Sequence, residues 1–276
     1  MTDAELLRFY SSGAESERLQ RGVAQLEAAR TRKFLQQSLP AAPARVIDVG
    51  GGTGAYAFWL AERGYTVHLL DPVPQLVALA RDNNQQAASP LATIAVGDAL
   101  ALPYEDASAD ALLLLGPLYH ITAHSERLAA LAEARRVLRP GGVLFAAAIT
   151  RWAGALYGLT RGLYAQRGFQ ELTDTTLQTG QNHNPAGLSG GFTSAYYHRP
   201  EELTDEVASG GFTEIIVHGL EGPACLLTDF DARWNDLEQR RVLEWSADAF
   251  GDEPSLLGAS AHLLAIARAP REENRS

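Results

Sequence analysis

Polar and apolar positions along the first forty residues repeat at helical spacing, and the pattern then changes. Residues 1–39 predict two helices, at about 3–11 and about 17–38. In the second, Leu19, Val23, Leu26, Ala29 and Leu35 form one apolar stripe. Pro40 and Pro43 stop it. From Arg45 short apolar runs alternate with amphipathic stretches. RVIDVG, YTVHLLD, LATIAVGD, DALLLLG and VLFAAAI read as strands. Helices are predicted from about Ala55 to Arg63, from near Pro74, and over SERLAALAEARRVL, with RPGG turning the chain into the fifth strand. Apolar runs, each followed by a helix, predict a parallel sheet buried on both faces with right-handed crossovers.

The rhythm breaks between Thr150 and Arg199, a stretch rich in glycine and aromatic residues that contains TGQNHNPAGLSGGFT. An irregular segment of this length inside a compact domain is expected to serve as a lid or binding loop. A helix from Pro200 to Ser209, a strand FTEIIVHG, a helix over about Asp231–Phe250 and a closing strand AHLLAIAR follow. The expected fold is α/β: a Rossmann-like, doubly wound sheet of seven mostly parallel strands, the last antiparallel. It forms a single domain over 1–276. Residues 1–40 make an N-terminal helical cap, 45–149 the core, 150–199 a lid insertion after strand five, and 200–270 complete the sheet. The last six residues or so are expected to be disordered.

Composition narrows the partners. Hydrophobic residues make up 46% of the 276, enough for a sizeable core, and the formal net charge is −10. An acidic surface repels phosphate backbones, so nucleic acid is a disfavoured partner and a small molecule the expected one. Cys225 is the single cysteine and forms no internal disulfide. The first twenty residues lack a signal-like apolar run, and runs such as Ala109–Leu115 are strand-sized. A cytoplasmic protein without a membrane partner is expected.

The strongest chemical signal is VIDVGGGTG, residues 46–54, where a strand enters a glycine turn ahead of a helix. Glycines permit positive φ and close approach of backbone to a ligand. Alone the turn is ambiguous, because Gly50-Gly51-Gly52-Thr53-Gly54-Ala55 also satisfies the dinucleotide pattern. Three acidic residues separate the readings. Asp48, on the strand, suits a cationic amino-acid group and repels a pyrophosphate. Asp71, followed by Pro72 at the end of strand two, suits a ribose diol or a helix cap. Asp98, followed by Ala99 at the end of strand three, suits an adenine amino group or a turn.

In order, VIDVGGGTG, HLLD, VGDA, DALLLLGPLYH and VLRPGGVLF resemble the class I S-adenosylmethionine methyltransferases over residues 45–149. The resemblance implies that S-adenosylmethionine is the cofactor. Gly50, Gly52 and Gly54, with Gly51 between them, would line its methionine part. Asp71 and Pro72 would hold the ribose, Asp98 and Ala99 the adenine, and Leu115-Gly116 would pass beside the methionine. The flanks YSSGAESERL, LEAARTRKFL, FTSAYYHRPEEL and SAHLLAIAR resemble bacterial small-molecule methyltransferases without an assigned acceptor. In related enzymes a tyrosine on an N-terminal helix folds over the cofactor. Tyr10 is the matching residue, and an ordinary packing role is the competing reading. The implied reaction is in-line methyl transfer to a small molecule. The alternatives are an NAD(P)-dependent oxidoreductase and a cofactor-binding protein of this fold without transfer.

A general base is needed only where the acceptor is protonated. Tyr119 and His120 follow strand four, and His120 is the leading candidate for that base. His124 lies four residues later, but no third ligand has fitting spacing, so no metal is expected. His183, Tyr197 and His198 are candidate acceptor-binding residues. Against this, His183 and Asn184 also read as exposed loop, and the aromatics as core. His198-Arg199 ahead of Pro200-Glu201-Glu202 also reads as a helix start.

Overall fold

In the computed structural model, residues 18–184, 188 and 192–271 are described. The helix expected over 3–11, Tyr10 and the expected disorder after residue 271 lie outside them. In chain order the elements are α1 (Ala24–Ser38), β1 (Arg45–Val49), α2 (Ala55–Ala61), β2 (Thr66–Asp71), α3 (Pro74–Gln86), β3 (Thr93–Val96) and β4 (Ala109–Leu114). Next come α4 (Pro117–His120), α5 (His124–Val137), β5 (Leu138–Thr150), α6 (Ala153–Arg161), α7 (Phe169–Thr179), β6 (Gln181–Asn182) and β7 (Ala195–His198). The chain then runs through α8 (Pro200–Ser209), β8 (Thr213–Gly219), α9 (Phe230–Asn235), α10 (Leu237–Phe250) and β9 (His262–Arg268).

The main sheet has the order β3-β2-β1-β4-β5-β9-β8, with β9 antiparallel to both neighbours and the other strands parallel. This is the seven-stranded arrangement expected from sequence. Alternate residues of one strand enter opposite cores. Leu112 and Leu114 pack with α5 and α8, whereas Ala111 and Leu113 pack with α1 and α2. That burial on both faces explains why β4 and β5 read as continuous apolar runs.

Several expected boundaries shift for local reasons. The long N-terminal helix starts only at Ala24, because Gly22 takes a φ of +54° ahead of it. RPGG falls inside β5 as a bulge: Ala109 pairs with Leu138 but Ala111 with Val143, and Gly141 sits at φ +80°. The helix expected over 231–250 is two helices. Asp236 ends the first and caps the second, its Oδ1 accepting from the amides of Glu238 and Gln239. The 150–199 segment is more regular than its composition suggested, with helices α6 and α7 and a β6–β7 hairpin. Strand β7 pairs with Ile149 and Thr150, beyond the β5 residues that pair with β4.

A buried ionic node ties this hairpin to the helices. The Arg127 guanidinium donates Nε and Nη2 to the Glu206 carboxylate at 2.9 and 2.6 Å, and its Nη1 to the carbonyls of Ile121 and Thr122. His198 Nε2 lies 3.1 Å and His124 Nδ1 3.0 Å from the same carboxylate. Burial pushes the Glu206 carboxyl up, but hydrogen bonds and charges from His198 and Arg127 outweigh it and hold it below the usual range. Removing one member strands the others in the interior. Arg127→Ala should therefore destabilise the fold by about 3–5 kcal/mol in denaturant titrations. A loss of about 1 kcal/mol or less, typical of a surface pair, would contradict this account.

Candidate functional site

The C-terminal ends of β1 to β4, with the turns that follow them, surround one cavity of roughly 1230 Å³ counting its open mouth. Its floor is the glycine turn. Gly50 and Gly51 donate their amides to the Leu70 carbonyl at 2.7 and 3.3 Å, which locks the turn to the end of β2. Gly50 has φ +72°, and a Cβ there would lie 2.8 Å from the Pro117 ring. A Cβ on Gly51 would lie 2.8 Å from the Asp48 carboxylate. The turn is therefore pressed against both Pro117 and Asp48, and side chains are excluded for steric reasons.

Asp48 is 1% exposed, and its Oδ2 has no hydrogen-bond partner. Burial, with the nearby Asp71 charge adding to it, pushes its carboxyl up to about 7. Asp71 accepts from the Gly52 amide through Oδ2 and the Val73 amide through Oδ1, each at 2.8 Å. It joins the glycine turn to the start of α3, although α3 itself begins without a side-chain cap. Asp98 is exposed and accepts from the Leu100 amide at 2.8 Å, so the turn role is present alongside its place in the cavity wall. Gly50, Gly51, Gly52, Pro72, Ala99 and Leu115 also line the cavity. Gly54 does not. It precedes α2 at φ +93° and packs on Phe58, so its requirement is conformational.

At the other end stand Tyr119 and His120 of α4. Their rings lie 4.7 Å apart, and Phe192 lies 5.6 Å from His120. The Tyr119 hydroxyl donates to the Leu115 carbonyl at 3.4 Å. Burial lowers the His120 imidazolium to about 3; a hydrogen bond to the Ser194 backbone opposes the shift, and the Arg18 charge adds to it. Desolvation disfavours the charged ring, which is therefore uncharged at neutral pH and less basic than a free imidazole.

The three acceptor candidates lie elsewhere. His183 Nδ1 is 2.7 Å from the Ser194 hydroxyl. Tyr197 is buried, which pushes its hydroxyl up, and lines a smaller separate cavity with Phe192 and Phe169. His198 is fully buried against Glu206, so its place is structural, as the helix-start reading allowed. Sequence reasoning missed Arg18, Leu19, Tyr56, Val73, Leu76 and Ile121, all of which line the main cavity. Tyr56 and Val73 each stand one residue beyond a motif position. Arg18 and Leu19 close the flank YSSGAESERL, to which no site role was attached, and the chain path brings them here.

Comparisons with known proteins agree with this geometry. A family model described as "Methyltransferase domain" matches residues 47–146. A demethylmenaquinone methyltransferase of Deinococcus radiodurans is 34% identical over 62% of this chain, a match that spans 65% of that relative's length. One of Thermus thermophilus is 30% identical over 62% of this chain and 71% of its own length. A solved S-adenosylmethionine-dependent methyltransferase of Methanosarcina mazei superposes with a TM-score of 0.58 at 19% identity, covering 87% of this chain and 98% of that one. The chain belongs to the class I S-adenosylmethionine-dependent methyltransferase family.

Proposed function

We propose that the chain transfers a methyl group from S-adenosylmethionine to a small-molecule acceptor. The observation that carries this reading is Asp48. A buried carboxylate with an unpartnered oxygen, beside a second carboxylate, is costly to keep. A cationic ammonium in the cavity offsets that cost, whereas a dinucleotide pyrophosphate there would increase it. The residues present therefore fit an adenosine joined to an amino acid. Asp48 would meet the ammonium, Asp71 the ribose hydroxyls, and Asp98 with Ala99 the adenine.

When bound, the cofactor supplies a sulfonium-activated methyl group and a good leaving group. The chain's part is alignment and exclusion of water. Tyr119 and His120 would wall the acceptor end with rings. With His120 uncharged and weakly basic, the acceptor would bring its own nucleophilicity, as a free amine, thiolate, phenolate or electron-rich carbon. The acidic balance supports a small molecule over nucleic acid.

Thermal shift tests the cofactor directly. S-adenosylhomocysteine should raise the melting temperature, since a ligand of the native state stabilises it. Stabilisation by NAD(H) or NADP(H) alone would overturn the reading. Labelled S-adenosylmethionine offered with a metabolite extract and, separately, with tRNA should mark the metabolite fraction; label in tRNA alone would refute the small-molecule assignment.

Asp71→Ala should weaken S-adenosylhomocysteine binding by about 1–3 kcal/mol in calorimetry. Unchanged affinity would remove its ribose role.

Asp48 makes a pH-dependent prediction. Its folded pKa is raised, so the ligand-free fold is favoured while it is protonated, and that stability is lost as pH rises toward about 7. A bound ammonium favours the ionised form, so cofactor affinity should rise from pH 6 to pH 8. Asp48→Asn should melt higher than wild type without ligand at pH 8, bind S-adenosylhomocysteine more weakly, and lose the pH trend. A wild-type affinity flat across this range would contradict the ammonium contact.

Once an acceptor is in hand, kcat at saturating cofactor should show no inflection near the ordinary histidine value. An inflection there that His120→Phe abolishes would restore His120 as the base.

A further inference from the structure

Helix α10 buries one side and leaves the other unsatisfied. Leu243 and Ala247 pack with Leu26 of α1 and with Phe230 and Trp234 of α9. Positions three and four apart share a helix face. On the outer face Leu237, Arg241 and Trp245 follow one another at that spacing, with Val242 beside them. Leu237 is 73%, Val242 59% and Trp245 63% exposed. Trp245 stands roughly opposite the buried side, where an amphipathic helix should be polar, and its ring meets that of Phe250 edge-on at 6.2 Å. Single exposed apolar residues are ordinary. Three adjoining ones with a tryptophan at the centre mark a contact surface.

We propose that this face is the interface of a homodimer, in which α10 packs antiparallel on α10 of a second copy across a twofold axis. Charge selects that occupant. The face carries one acid and one base, Glu238 and Arg241, whose side chains pair at 2.9 Å and stand 84% and 73% exposed. At its edges Asp248 is held by Arg30 and Lys33, and Glu244 by Arg240. The face therefore has no excess of cations to attract an anionic bilayer or nucleic acid. Two copies of a balanced face do not repel, whereas two average faces of a chain with net charge −10 do.

The same pair of charges sets the register. In an antiparallel twofold pair, positions equidistant from the axis face each other. With the axis at the level between Gln239 and Arg240, Glu238 meets the partner's Arg241 and Leu237 meets the partner's Val242. Opposite charges and aliphatic side chains are then each matched twice. Trp245 lies over the start of the partner's α10, beside the turn from α9. Sliding the helices until Leu237 met Trp245 would set Arg241 against Arg241 and Glu238 against Glu244, which like charges disfavour. One helix from each copy makes a contact at the small end of interface sizes, so the dimer should dissociate on dilution.

Sedimentation of the full chain over a dilution series tests this. The wild type should pass from dimer to monomer in the micromolar range. Trp245→Ala should weaken association by roughly tenfold or more. Arg241→Glu sets acid against acid and Glu238→Arg sets base against base. Each variant alone should therefore be monomeric at concentrations where the wild type is dimeric. Mixed together, the two should form a heterodimer, because each then meets the opposite charge at both positions. Circular dichroism of each variant should match the wild type, which separates lost association from lost folding. A wild type still monomeric at about 1 mM would overturn the proposal and leave the face to a different partner. A dimer indifferent to both Trp245→Ala and Arg241→Glu would overturn it too, since association would then use another surface. A mixture that fails to recover the dimer would refute the antiparallel pairing.

Discussion

A buried carboxylate pressed against a glycine turn is the constraint on which the site depends. Asp48 stands at the end of β1, between β2 and β4, where the sheet is covered on both faces and water cannot relieve its charge. The turn that follows it contains glycine because Asp48 occupies the space a Gly51 Cβ would need. The neighbouring strand adds Asp71, whose charge makes Asp48 harder to ionise. The fold is thus less stable without a cation than it would be with an apolar residue at that position. Such local cost is a property of a binding site, where stability of the empty protein is exchanged for affinity.

Electrostatics divide the cavity. On one side, Asp48, Asp71 and Asp98 hang from the ends of three adjacent parallel strands, and two of them also organise backbone amides. At the far end are uncharged rings and a single arginine. The node around Glu206 braces that far end. Through Arg127 it grips the carbonyls of Ile121 and Thr122 directly after α4, so the position of Tyr119 and His120 depends on charges buried well behind them. His198, which looked from sequence like a residue for the acceptor, contributes at this distance instead.

What was legible in the sequence follows the same division. The sheet could be read because strands buried on both faces leave continuous apolar runs, and the acidic wall of the cavity because each of its three carboxylates sits where a strand ends. VIDVGGGTG, HLLD and VGDA encode position and chemistry together. The other wall was legible only in part: Tyr119 and His120 follow a strand and were named, whereas Arg18 comes from a segment with no periodicity shared with them. The surroundings of His120 could not be seen either: a histidine after a strand suggests a base, and the desolvation that lowers its basicity appears only in the fold. The hairpin β6–β7 stayed hidden for another reason. Its strands are two and four residues long, too short to show a period of two.

The antiparallel strand acquires a role beyond closing the sheet. Because β9 runs against its neighbours, its first residue rather than its last arrives at the ligand edge, and that residue is His262. A seventh parallel strand would bring its far end there. The reversal lets one half-buried imidazolium stand between a carboxylate from the N-terminal helix α1 and one from the turn after β8. Arg18 and His262, more than 230 residues apart in sequence, are thereby linked through Glu27. Like-charged Glu27 and Glu221 would repel one another without the proton on His262. The burial that lowers its affinity for a proton is outweighed by the two carboxylates that demand one.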